Sequence, residues 1–164
     1  MIPSFPPAPS VKRLVQLVLR YLALRSRSRH EILHYVTHKA GPTNQPLIDA
    51  VMVKIDYFNI LNDTQFAQDF ARSQLHRGKG PRYISYALKQ KGLEPDLIKA
   101  TLSTLDPEAI NQSAHAALNK ILPSWLPQNP FKLKAKAARY LYARGFTPST
   151  LEAVIDENPS LKVK

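Results

Sequence analysis

Apolar residues recur at spacings of three and four along most of the chain, with polar positions filling the intervals. Val11, Leu14, Val15, Val18 and Leu22 begin the series, and Phe66, Phe70 and Ala71 resume it. Ile84, Ala87 and Leu88 follow, then Ile98 and Leu102, and Ile110, Ala114, Ala117, Leu118 and Ile121 carry it into the last third. Such spacing gathers side chains on one face of an α-helix. No segment alternates apolar and polar as a strand would, so the pattern predicts an all-α fold.

The helices repeat. "YISYALKQKGLEPDLIKATL" (83–102) aligns without gaps on "KAARYLYARGFTPSTLEAVI" (136–155), an offset of 53 residues. Each reads as a helix, a basic residue, a glycine, an apolar residue, and then X-Pro opening another helix. Gly92 and Gly145 suit the left-handed position past a helix end, where a Cβ is costly. Pro95 and Pro148 suit the first turn of the next helix, where an amide proton would go unused. Thr147 can cap that turn through its hydroxyl, and Glu94 is a poorer cap. In the first third, "EILHYVTHKAGPTNQPLIDAVMVKI" places Ile32 against Ile84, Val36 against Leu88 and Lys39 against Lys91, with a longer turn before Pro46. Opening helices are expected at Val11–Leu24, Asp63–Leu75 and Pro107–Leu122, with Asn62 or Asp63 capping the second and Asp106 starting the third. The expectation is three tandem three-helix repeats at 11–61, 62–105 and 106–158, forming an elongated, curved helical body. A flexible proline-rich tail (1–10) would precede them and a basic tail (159–164) would follow.

Charge sharpens this picture. Lys and Arg number 23 against 12 Asp and Glu, a net charge of +11 spread along the chain. That excess favours a polyanion or an acidic protein surface as partner. The absence of cysteine excludes disulfides, thiolate-metal sites and a cysteine nucleophile, and fits a cytoplasmic location. The N-terminal "MIPSFPPAPS" lacks the charged and apolar regions of a secretion signal. No apolar run approaches the roughly 18 residues of a membrane span. The expected molecule is a monomer without a membrane partner.

One motif suggests enzyme chemistry. "RHEILHYVTHKAG" (29–41) contains H-E-x-x-H as His30, Glu31 and His34, with His38 a turn further. On a helix this pattern can hold zinc with two imidazoles and leave the glutamate as general base. The repeat alignment argues against it. The counterparts of the three histidines are Arg82, Tyr86 and Gln90, then Ala135, Arg139 and Ala143, which describes a solvated face. The glycine and third histidine of the metzincin pattern are replaced by Thr37 and Ala40. No catalytic residue, metal or cofactor is expected, and zinc hydrolysis is the enzyme rival.

The connections before the second helices are all basic. They are "RSRSR" (25–29), "HRGKGPR" (76–82) and "FKLKAKAAR" (131–139). Arg25, Arg27, Arg29, Arg77, Lys79, Arg82, Lys132, Lys134, Lys136 and Arg139 are therefore candidates for a positive stripe, joined by Arg72, Lys89 and Arg144. Gly78 and Gly80 would let the backbone approach a partner, and amides at the helix start near Pro81 could face an anion. P-loop spacing is absent. Tyr83 and Tyr86 flank the stripe and could stack on bases, although half-buried packing is the commoner role. Trp125 is expected to cover the local core.

"LNDTQFAQDFARSQLHRGKGPRYISYALKQKGLEPDLI" (61–98) resembles the central signature of the RecX family, regulators of the RecA recombinase. The resemblance rests on Leu61-Asn62-Asp63 with Phe66-Ala67 and Phe70, on Arg77-Gly78-Lys79-Gly80-Pro81 with Ile84, and on Leu88 with Lys91-Gly92. "YLALRSRSRHEI" (21–32) resembles the family's R-x-R-S segment, and Arg144-Gly145-Phe146 marks the third repeat. Asn62 stands where the family usually has aspartate. The resemblance implies a non-enzymatic negative regulator. It would lie in the groove of the RecA–single-stranded-DNA filament, bridge subunits, and hinder ATP hydrolysis, strand exchange and extension. Direct binding to single- or double-stranded DNA is also implied for some members. A tandem-helical DNA-binding protein without recombinase regulation is the alternative.

Overall fold

The computed structural model describes residues 10–125 and 129–161. Most of the expected N-terminal tail, the end of the basic tail (162–164) and part of the Trp125 linker (126–128) lie outside the described residues. Among those described there are nine α-helices and no strand: α1 Val11–Leu24, α2 Arg29–Ala40, α3 Gln45–Tyr57, α4 Asp63–His76, α5 Pro81–Gln90, α6 Pro95–Ser103, α7 Pro107–Ile121, α8 Pro130–Ala143 and α9 Pro148–Glu157. No described helix is long and apolar enough to cross a membrane.

The helix ends obey their capping residues. Ser10 accepts from the Arg13 amide, Asp106 from Glu108, Asn129 from Phe131 and Thr147 from Thr150. Glu94 makes no side-chain cap, as its longer side chain predicts. Asn62 is the cap of α4, accepting from the Gln65 amide at 2.9 Å, which leaves Asp63 for another task. Gly41, Gly92 and Gly145 all take positive φ at their turns.

The chain divides into two compact units. Among the described residues the first comprises 10–66 together with 91–93. Leu14, Val18, Ile32, Val36, Ile48, Val51, Met52 and Ile55 build its core from α1, α2 and α3. Among the described residues the second comprises 67–90, 94–125 and 129–161. Its core packs Leu118, Leu133, Leu141, Val154 and Ile155 from α7, α8 and α9 with Leu122 and Trp125 of the following 3-10 turn and Phe146 of the α8–α9 turn. Burial of each large aliphatic side chain contributes about 1.5–3 kcal/mol. Trp125 is buried in a 3-10 turn (Leu122–Trp125), edge-on to Tyr140 at 5.5 Å. Leu161 is also buried in this core, so packing continues into the segment expected to be tail.

The unit boundary does not follow the repeat boundary. The short turn Lys91-Gly92-Leu93 joins the first unit because it packs against the start of α2. Ser28 Oγ donates to the Lys91 carbonyl at 2.7 Å, and Gly92 lies against the His30 ring so closely that a Cβ there would overlap it.

Candidate partner-binding surfaces

In the first unit the basic connection is largely spent on internal contacts. Ser28 and Glu31 form a reciprocal capping box at the start of α2. The Glu31 carboxylate also accepts from Arg25 Nη2 at 2.8 Å and from Lys91 Nζ at 3.1 Å. Burial raises its pKa, but the Arg25 hydrogen bond, the Ser28 amide and Lys91 together outweigh that and hold it at about 2. A carboxylate so committed is a poor general base at neutral pH. His30, His34 and His38 are exposed while Ile32 on the opposite face is fully buried, as the repeat alignment requires.

The neighbouring arginines are engaged as well. The Arg29 guanidinium pairs with Asp56, Nη2 to Oδ2 at 2.9 Å, while its backbone amide donates to Asp63 at 2.8 Å. Asp63 therefore satisfies the first turn of α2, not its own helix. Arg27 lies 3.3 Å from the Tyr21 ring centroid, and Tyr21 stacks on Tyr35 at 4.1 Å. Arg25 and Arg29 retain about half of their side-chain exposure, so their pairs are weakly held.

In the second unit the turn at 76–80 meets the turn Arg144-Gly145-Phe146. The Gly80 amide donates to the Arg144 carbonyl at 2.9 Å and the Arg82 amide to the Gly145 carbonyl at 3.0 Å. Arg144 Nη1 returns to the Gly78 carbonyl at 3.2 Å. A Cβ on Gly80 would overlap the Phe146 backbone, and one on Gly145 would stand 2.7 Å from Tyr83 Cβ. A Cβ on Gly78 would stand 2.9 Å from Ala117 Cβ, so the expectation that Gly78 and Gly80 admit a partner is corrected. The close approach is to the protein's own atoms, and the amides of Gly80 and Arg82 are already paired.

The side chains of that turn are different. Arg77 and Arg82 are exposed and Lys79 is half-buried, and none pairs with a carboxylate among the described residues. Lys79 lies 4.4 Å from the Tyr83 ring and Arg82 4.4 Å from the Tyr142 ring. Tyr83 is half-buried beneath its lysine, whereas Tyr86 is 64% exposed. No sequence pattern signals the Tyr142 support for Arg82, because the two residues are brought together only by the docking of the turns.

The remaining candidates scatter. Lys134 pairs with Asp156 at 3.0 Å and Arg72 with Asp69 at 2.5 Å. Lys136 lies over the Trp125 ring at 4.6 Å, and Arg144 over Tyr140 at 4.7 Å. Lys89, Lys132 and Arg139 are exposed without a carboxylate partner among the described residues. Among the described residues, Arg77, Lys79 and Arg82 therefore gather three cations without a carboxylate partner at one turn.

Helices joined by the basic-glycine-apolar turns Lys91-Gly92-Leu93 and Arg144-Gly145-Phe146, each docked against the start of another helix, define a helical-repeat protein. Residues 62–102 match the family model described as RecX, second three-helix domain, and residues 109–155 match RecX, third three-helix domain. The chain belongs to the RecX family. It is 33% identical over 144 residues to the "Regulatory protein RecX" of Lactobacillus johnsonii, covering 87% of this chain and 52% of that one. It is 29% identical over 147 residues to the protein of the same name from Prosthecochloris aestuarii, covering 89% of this chain and 93% of that one. The crystal structure of RecX from Lactobacillus salivarius superposes with a TM-score of 0.78 at 18% identity, covering 90% of this chain and 95% of that chain, which shows a shared fold. The chain spans about half the length of several of the curated relatives it matches.

Proposed function

We propose that this chain is a negative regulator of a RecA-type recombinase. It would bind in the groove of the filament on single-stranded DNA and hinder ATP hydrolysis, strand exchange and extension. The observation that carries this reading is membership of the RecX family, supported in both the second and third three-helix domains. The name of the relatives, regulatory protein, agrees with it. Regulation of this kind needs occlusion and bridging, not chemistry. Arg77, Lys79 and Arg82 are the contact residues assigned first, because no internal carboxylate has to be displaced before they meet an acidic partner surface.

The test is recombinase ATPase on single-stranded DNA, titrated with the protein at two salt concentrations. Inhibition below one protein per recombinase subunit is expected. Arg77→Glu, Lys79→Glu and Arg82→Glu together should shift the titration to at least about tenfold higher protein, equivalent to about 1.4 kcal/mol. An unaltered ATPase, with binding to bare DNA retained, would instead select the DNA-binding reading.

A further inference from the structure

Two clefts in the second unit occupy equivalent places in successive repeats. One, of about 380 Å³, lies between α5 and α6 and is lined by Ser85, Lys89, Pro95, Ile98, Lys99 and Leu102. The other, of about 430 Å³, lies between α8 and α9. At the 53-residue offset, Ser85 falls on Ala138, Pro95 on Pro148, Ile98 on Leu151, Lys99 on Glu152 and Leu102 on Ile155, and all five counterparts line the second cleft. The cleft is therefore a repeated feature of the motif. A small residue on the second helix leaves the furrow open, and aliphatic residues on the third helix floor it.

The two differ in charge. Beside the α8–α9 cleft, Lys134 is neutralised by Asp156 at 3.0 Å, and Glu152 adds a further negative charge. Beside the α5–α6 cleft, Lys89 and Lys99 are both exposed, and neither pairs with a carboxylate among the described residues. We propose that the α5–α6 cleft is a docking site for a short acidic peptide segment. Its apolar side chains lie on Pro95, Ile98 and Leu102, and its carboxylates meet Lys89 and Lys99.

Three features select that occupant. The floor is aliphatic and holds no aromatic ring on which a base could stack, which disfavours single-stranded nucleic acid. Aliphatic furrows between helices gain most from burying Leu, Ile or Phe side chains. Two exposed ammonium groups at the rim, without a carboxylate partner among the described residues, reward carboxylates and repel basic segments. The proposal is independent of the recombinase reading, since any partner carrying such a segment would serve.

The full-length protein is tested by fluorescence anisotropy. The probe is a labelled peptide of about 14 residues with Leu at i, i+3, i+4 and i+7 and Glu elsewhere. Comparison probes carry Ser for every Leu, or Lys for every Glu, and a labelled oligo-dT represents nucleic acid. Saturable binding is expected for the Leu/Glu peptide alone, weakened about tenfold or more by Lys89→Glu with Lys99→Glu. A charge-matched control, Lys12→Glu with Lys120→Glu, should change it by less than about twofold. The proposal is overturned if the Leu/Glu peptide fails to bind, if the Ser-substituted peptide binds equally, or if both double variants lose affinity alike. Tighter binding of oligo-dT that depends on Lys89 and Lys99 would overturn it in favour of a nucleic-acid cleft. Self-association abolished by the same variant would make a second copy the occupant.

Discussion

At the scale of single residues, Glu31 shows how one side chain can carry two readings. As the middle of H-E-x-x-H it resembles a general base, while as the fourth residue of S-x-x-E it caps a helix. The structure selects the second and adds Arg25 and Lys91. The capping box could be read locally, whereas Lys91 lies 60 residues away and its approach depends on the turn at Gly92. A pKa lowered from 4.5 to about 2 favours the charged form in the folded state. The resulting stability is complete above about pH 5 and declines as pH falls towards 2. Glu31→Gln keeps the capping geometry but removes the charge, and should cost about 1–2 kcal/mol at pH 7 once solvent screening is allowed for. Urea unfolding of both proteins between pH 7 and pH 2.5 would check this: the gap should shrink below about pH 4. A constant gap across that range would mean that Glu31 acts through shape alone.

At the scale of helices and turns, the sequence was most legible where a residue's own backbone preference decides the outcome. The Thr147 cap, the weak Glu94 cap and the prolines opening α6 and α9 were all readable, because each acts within its own turn. The choice between Asn62 and Asp63 was not readable, since Asp63 is drawn to the Arg29 amide by a contact 34 residues distant. The glycines divide in the same way. Gly41 has φ +91 and nothing near an added Cβ, so Gly41→Ala should cost only conformational strain, about 1–2 kcal/mol. Gly80 has no unusual φ, yet its Cβ would meet the backbone of Gly145 and Phe146. Gly80→Ala should therefore cost about 2–3 kcal/mol and increase proteolysis near the turn. Thr147→Ala should cost about 1 kcal/mol through removal of the cap. Chemical denaturation read by far-ultraviolet dichroism ranks the three, and a smaller penalty at Gly80 than at Gly41 would contradict the backbone contact.

For the whole molecule, composition gives the net sign of the surface but not the availability of the charge. A net +11 is a count of residues, and the structure separates cations already engaged from those left open. Arg25, Arg29, Arg72, Lys91 and Lys134 face carboxylates, whereas among the described residues Arg77, Lys79 and Arg82 face none. If the protein binds bare single-stranded DNA through that turn, reversing all three should lower the salt slope of log K by about 2, roughly 0.7 for each phosphate no longer neutralised. Reversing Arg25 and Arg29 should lower it by less, because Glu31 and Asp56 already share their charge. Binding isotherms at several salt concentrations distinguish the two sets. The helical repeat was legible in the second and third three-helix domains, where the apolar spacing and the glycine turn recur at one fixed offset. The surface was less so, because ion pairing is decided by residues distant in sequence.

The two turns differ in one respect that bears on inheritance. Lys91 is latched to a carboxylate, Glu31, while Arg144 is latched to a backbone carbonyl at Gly78. A carbonyl is supplied by any amino acid, but Gly78 has φ +70 and an added Cβ would stand 2.9 Å from Ala117 Cβ, so the second latch depends on a glycine. The first requires its glutamate, and a lineage that loses Glu31 loses the hydrogen bonds from both Arg25 and Lys91. The two joints are thus alike in architecture and constrained by different means, one by a charge and the other by a residue without a side chain.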